Sequence, residues 1–178
     1  KVLSIEKRSR KQQPPVPFNT TSLMTAASAE GLSPARTMRL AESLYMDGYI
    51  SYPRVDNTVY PSSLDLEEVV KTISGNPAYA PFCKELLAKG PLTATRGKKE
   101  TTDHPPIYPT AMVTPDDLPP AEYKLYNLIA RRFLATLSEA AVVEGTKVTL
   151  DISGEHFTAK GDVLVHEGYR AIYPYGMK

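Results

Sequence analysis

The stretch Val148-Thr149-Leu150-Asp151-Ile152-Ser153-Gly154-Glu155-His156-Phe157-Thr158-Ala159-Lys160 decides the fold. Val148, Leu150 and Ile152 alternate with polar residues, the period of a strand with two unlike faces. Ser153-Gly154 supplies a turn, and residues 156–160 run back as a second strand. The chain opens in the same way, with Val2 and Leu3 followed by Ile5, so residues 1–6 read as a strand. Val163 to His166 and Tyr169 to Tyr173 are candidates for further strands.

Between these β ends the period becomes helical. Ala121 to Glu139 places Tyr126, Ile129, Phe133 and Leu137 on one face. Residues 63–74, with Leu66, Val69, Val70 and Ile73, and residues 79–88 are predicted helices. Another is predicted to start at Thr20 or Thr21, either of which can cap it, and to stop at Gly31. Ser33-Pro34 opens the next, which carries Ala35, Met38, Ala41 and Tyr45 as its apolar stripe and ends at Gly48. Arg36 and Arg39 point away from that stripe. Two helices split by a short glycine-containing turn form a helix-turn-helix-like unit. The prolines of residues 12–17 forbid a helix there, so an extended connector follows the basic run Lys7, Arg8, Arg10, Lys11. Residues 89–119 read as a loop, long enough to suggest function. The expected class is α+β, mainly α. A helix-turn-helix-like domain over residues 14–140 is inserted into a small β unit made from both chain ends, residues 1–13 and 141–178.

Composition excludes some classes. A hydrophobic fraction of 42% over 178 residues supplies a core and argues against disorder. The net charge of +1 gives no hint of a nucleic-acid partner, so any such hint must come from charge distribution. One cysteine, Cys83, cannot form an internal disulfide, which fits a reducing cytoplasmic setting. Lying in Tyr79–Leu87 with no histidine nearby, it reads as a small buried apolar residue. No apolar run reaches a membrane span and no signal peptide is visible. The opening Lys1, running directly into a strand, leads to the expectation of a piece of a longer protein.

Chemistry concentrates in Gly48-Tyr49-Ile50-Ser51-Tyr52-Pro53-Arg54-Val55-Asp56-Asn57. In an extended segment Tyr52 and Arg54, two apart, share a face. A phenol has a pKa of about 10 and is a poor nucleophile near neutrality unless its anion is favoured. A guanidinium alongside would favour it, and could also grip phosphate oxygens and offset transition-state charge. Spacing alone equally fits a half-buried aromatic beside a solvated arginine.

The order of the wider blocks adds to this. Pro15-x-Pro17-Phe18-x-Thr20-Thr21-Ser22-Leu23 is followed by Thr37-Met38, Leu44-Tyr45, the Tyr52 block, and Asp103-His104-Pro105-Pro106-Ile107-Tyr108-Pro109-Thr110. The succession resembles type IA DNA topoisomerases over about residues 1–174, and its Asp-His-Pro-Pro-Ile form is closer to archaeal-type members. The resemblance implies that Tyr52 is the nucleophile that becomes linked to a DNA 5′-phosphate. It implies that Arg54 assists at the scissile phosphate, and that His104 holds DNA or relays protons there. Single-stranded or underwound DNA is the implied partner, together with other domains of a parent protein in the nucleoid-associated cytoplasm. Lys7, Arg8, Arg36 and Arg39 become candidate DNA contacts. Two departures fall nearby: Val55-Asp56-Asn57 replaces a common Thr-Asp-Ser, and Glu42 and Met46 stand where the family often has Gln and Glu.

Exchange of one phosphodiester for another keeps the bond energy in the tyrosyl ester, so no ATP is needed. No Walker-type loop is present. The family's acidic Asp-x-Asp-x-Glu signature is missing, and Asp65-Leu66-Glu67-Glu68 reads as a solvated helix face. The expectation is therefore no metal ligand in this chain, Mg²⁺ in a separate metal-binding domain of the parent, and no DNA relaxation by this piece alone. His156 and His166 receive no role. A non-catalytic helix-turn-helix module reading DNA through Arg36 and Arg39 remains an alternative, as does a purely structural interaction domain.

Overall fold

The computed structural model describes residues 1–176. Three long strands, β1 (Val2–Gln12), β2 (Ala141–Ile152) and β3 (Glu155–His166), form one antiparallel sheet in the order β1-β2-β3. The first strand therefore pairs with one encoded more than a hundred residues later, with Ile5 opposite Val148 and Arg10 opposite Val143. β2 and β3 are a hairpin closed by Ser153 and Gly154, whose φ angles of 56° and 85° suit the tight turn that matches strand twist. The Asp151 side chain accepts the Gly154 N–H at 3.0 Å and pins it.

Five helices lie between β1 and β2 in the chain: α1 (Thr20–Ala29), α2 (Pro34–Met46), α3 (Leu66–Ile73), α4 (Ala80–Ala88) and α5 (Pro120–Thr136). α5 is the centre of the core. Leu125, Tyr126, Ile129, Ala130, Phe133 and Leu134 are fully buried, so it is covered on most sides rather than along one stripe. Full burial of a side chain such as Phe133 contributes about 1.5–3 kcal/mol. Cys83, also fully buried, lies in this core as expected, and desolvation pushes its thiol up to about 11.

Several expectations are corrected. The first strand does not end at residue 6: the basic run Lys7 to Lys11 continues β1 to Gln12. Asn19 caps α1, not Thr20 or Thr21: its side-chain oxygen accepts the Ser22 N–H, and its own N–H donates in return to the Ser22 hydroxyl. The buried stripe of α2 is Thr37, Ala41 and Leu44, while Ala35 and Tyr45 are exposed, because the helix is rotated relative to the stripe predicted from its large apolar residues. Tyr169–Tyr173 is not a strand. A 3₁₀ turn at Gly168–Ala171 returns the chain to the helices, burying Ile172 and Tyr173 against the core. Within residues 89–119 there is one short 3₁₀ turn, Pro115–Asp117.

At the junction between sheet and helices, Gly168 has φ of 53°, and a Cβ there would lie 2.4 Å from the Ala140 carbonyl oxygen. The neighbouring Tyr169 N–H donates to the Glu139 oxygen at 2.9 Å. Gly168→Ala is expected to destabilise the chain by about 1–3 kcal/mol, since backbone must shift. Gly161→Ala, where a Cβ meets nothing within 4 Å, serves as the neutral control. Urea denaturation midpoints of the two variants check this.

Candidate active site

Residues 51–57 run extended, and burial alternates: Ser51, Pro53, Val55 and Asn57 face inward, while Arg54 and Asp56 are exposed and Tyr52 is half-buried. The period of two therefore puts Tyr52 and Arg54 on the outward side, as their spacing predicts. Pro53 has no N–H, so this segment cannot complete a ladder with a neighbouring strand. Side chains replace the missing bonds. The Thr20 hydroxyl donates to the Pro53 oxygen at 2.6 Å and accepts the Val55 N–H at 2.9 Å, while the Thr20 N–H donates to the Val55 oxygen. Asn19 donates to the Asp56 oxygen at 3.3 Å.

The other edge of the segment is held by residues 104–110. Ser51 N–H donates to the Tyr108 oxygen at 3.0 Å, and Tyr108 N–H returns to the Ser51 hydroxyl at 2.9 Å. Ile50 bridges Pro109, and Phe18 bridges Ile107. The Phe18, Tyr52 and His104 blocks, scattered in sequence, thus form one hydrogen-bonded assembly over a buried floor of Phe18, Ile50 and Ile107.

On that floor the Tyr52 and His104 rings lie 4.7 Å apart, tilted by 48°. Tyr45 also meets Tyr52, edge to face at 5.2 Å. Arg54 donates through Nε and Nη2 to Glu42 Oε1, at 2.8 and 2.5 Å. The three predicted site residues Tyr52, Arg54 and His104 are accordingly gathered on one surface. The neighbouring Asp103 carboxyl is held below its ordinary range by the Thr101 hydroxyl and by the His104 backbone N–H. The four basic candidates are not gathered there. Lys7 and Arg8 stand in β1 opposite Thr146 and Gly145, and Lys7 faces Glu144 at 4.0 Å. Arg36 and Arg39 are exposed on α2, the helix that also carries Glu42 and Tyr45. His166 bonds Glu139 at 3.1 Å at the end of the sheet, and His156 lies on β3.

Four residues of this assembly were not legible as site residues: Thr20, Glu42, Tyr45 and Asn57. Parity was the available signal for Asn57, since it falls on the inward side of the Tyr52 segment. Only 2% exposed, Asn57 donates to the Thr101 and His104 oxygens at 3.0 and 3.1 Å, and accepts the Val59 N–H at 2.9 Å. It ties the His104 loop to the Tyr52 segment. Among the described residues no group of three His, Cys, Asp or Glu side chains is gathered to hold a metal ion.

Asn57→Ala would leave those buried groups unpaired, a loss of about 1–3 kcal/mol. Amide exchange in residues 97–108 is expected to accelerate, with the core of α5 protected as before. Equal exchange in variant and parent would show that Asn57 does not hold the loop.

The family model described as DNA topoisomerase matches residues 1–178. DNA topoisomerase 1 of Archaeoglobus fulgidus is 44% identical over 175 residues, covering 98% of this chain and 26% of that protein. DNA topoisomerase 1 of Pyrococcus horikoshii is 37% identical, covering 97% and 26%, and human DNA topoisomerase 3-alpha is 34% identical, covering 98% and 17%. The solved full-length topoisomerase I of Thermotoga maritima superposes with a TM-score of 0.71 at 26% identity, covering 96% of this chain and 29% of that one. The chain spans about a quarter of the length of the archaeal relatives it matches. With a match along its whole length, the chain belongs to the type IA DNA topoisomerases.

Proposed function

We propose that this chain supplies the strand-cleaving tyrosine of its family, with Tyr52 as nucleophile. The Tyr52 hydroxyl oxygen attacks a phosphorus atom of single-stranded or underwound DNA. The bond from phosphorus to the 3′ oxygen of the neighbouring nucleotide breaks, leaving a 5′-phosphotyrosyl link and a free 3′-hydroxyl. After strand passage the 3′-hydroxyl attacks in reverse and restores the DNA. One phosphodiester is exchanged for another, so the cycle is balanced without ATP. The observation that carries this reading is the convergence of Tyr52, Arg54 and His104 on one surface, with the Tyr52 and His104 rings 4.7 Å apart.

Each neighbour then has a task. Arg54 is permanently charged and offsets the negative charge that builds on the phosphoryl oxygens. His104, exposed beside Tyr52, holds the phosphate or moves a proton. Mg²⁺ and the general acid would be supplied by another part of the complete protein. The exposed cations Lys7, Arg8, Arg36 and Arg39 are proposed to contribute contacts to the DNA backbone. The two chain ends, residues 1–13 and 141–178, are proposed to serve as a β-rich hinge beside the tyrosine-bearing residues 14–140. Among the described residues no helix is long and apolar enough to cross a membrane; the proposed setting is the nucleoid-associated cytoplasm.

In the complete protein, cleavage of labelled single strands is expected to trap an adduct that maps to Tyr52. Tyr52→Phe should abolish the adduct with little change in DNA affinity, since only one hydroxyl is lost. Arg54→Ala should slow cleavage by about a hundredfold to a thousandfold, the usual effect of losing one charge-stabilising donor. His104→Ala should also slow it. Binding of single strands should weaken as salt rises, because phosphate contacts release counterions. Full cleavage by Tyr52→Phe, or an adduct on Tyr45 or Tyr49, would overturn the assignment. Full cleavage by Tyr52→Phe with DNA binding lost in Arg36→Ala would favour the non-catalytic helix-turn-helix reading.

A further inference from the structure

We infer that Glu42 is a positioning residue for Arg54, an inference that rests on the proposed role of Arg54. A guanidinium has five N–H donors arranged on distinct edges. Glu42 Oε1 accepts from Nε at 2.8 Å and from Nη2 at 2.5 Å, which occupies one edge. The edge formed by Nη1 and the second Nη2 proton is left for a second acceptor. That edge has the fork geometry that grips two phosphate oxygens in parallel.

The support for Glu42 is rigid. It stands on α2 between Ala41 and Leu44, both fully buried, so the helix face that carries it is fixed by packing. Tyr45, one helical step of three residues further on, meets Tyr52. Residues i and i+3 of a helix are neighbours on its surface. They face two residues, Arg54 and Tyr52, that are themselves neighbours on the outward side of an extended segment. One face of α2 therefore orients the charge and the nucleophile together. The ion pair is itself about half exposed, with side-chain exposures of 57% and 47%, and pairs of that kind add little to folding stability. Its effect falls on the direction of the guanidinium. Without Glu42 the long arginine side chain samples many rotamers, and the phosphate must select one of them.

The test uses the complete protein with Glu42→Ala, Glu42→Gln and the double variant Glu42→Ala/Arg54→Ala. Single-turnover cleavage of a labelled oligonucleotide and equilibrium binding of the same oligonucleotide are measured for each. Glu42→Ala is expected to slow cleavage about tenfold to a hundredfold, the scale of a misplaced catalytic group. Binding should stay equal or tighten, because a negative charge near the DNA is removed. Glu42→Gln keeps the accepting oxygen and should restore most of the rate. The double variant should be no slower than Arg54→Ala alone, since both changes act through one group. Wild-type cleavage in Glu42→Ala, or additive losses in the double variant, would overturn the inference. Tyr52→Phe in the same assay separates the two levels. If it still cleaves, the nucleophile assignment fails. If it is inert while Glu42→Ala is unaffected, only the role of Glu42 fails.

Discussion

The Thr20 hydroxyl holds the arrangement together. It gives its proton to the Pro53 oxygen and takes the Val55 N–H, so both bonds fall on the backbone that carries Tyr52 and Arg54. An extended segment containing proline has lost one ladder donor and must find partners elsewhere. Here the partners come from the start of α1 on one side and from the His104 loop on the other. Each bond nets about 0.5–1.5 kcal/mol, a modest gain in stability. Their larger consequence is geometric. The segment has one rotation about its own axis, and so one set of outward residues.

That constraint explains why a loop of some thirty residues is ordered without regular structure. The segment from residue 95 to 110 is threaded by bonds to fixed points: Thr95 to the Pro15 oxygen, Gly97 and Lys99 to Thr58, residues 101 and 104 to Asn57, and Tyr108 to Ser51. Gly97 approaches Thr58 so closely that a Cβ would lie 2.2 Å from its Oγ1. The loop is in effect an irregular partner for residues 50–59. Its length serves to bring His104 over Tyr52 from a position fifty-two residues away in sequence.

Local rules read much of this correctly. Period two found the hairpin and the first strand, and the outward pairing of Tyr52 with Arg54. Proline and glycine punctuation found the start of α2 and the ends of α1 and α2. What failed did so where tertiary contact outranks pattern. Thr20 looked like a cap because its side chain is short and polar, but Asn19 takes the cap and frees Thr20 to clamp the Tyr52 segment. The stripe of α2 was misjudged because apolar type was equated with burial. Thr37 is buried, and Tyr45 faces Tyr52. Tyr169–Tyr173 has the aromatic and β-branched residues of a strand, yet Gly168 turns the chain and Ile172 and Tyr173 are buried in the helical core. In the sheet, alternation correctly marked strands whose apolar residues are nonetheless exposed, including Ile5, Ile152 and Phe157. Period two reports which residues share a face, not what covers it.

The same distinction applies to charge. A net charge of +1 says little about what the surface can bind, because cations are not interchangeable here. Arg132 is spent on structure: it donates to the Val16 oxygen at 2.7 Å and lies 4.3 Å over the Phe18 ring, tying the connector after β1 to the central helix. Arg131 donates to the Ile172 oxygen and to Asn127. Both are half-buried donors held in fixed directions, a task for which the planar guanidinium is better suited than an ammonium. Arg54 stands at the other extreme, exposed and held along one edge by a carboxylate. A sum over the chain weighs these three equally. Only the geometry separates Arg131 and Arg132, which fasten the helical core, from Arg54, which is aimed outward beside Tyr52, and that separation, rather than the total, decides which cation is free to meet a ligand.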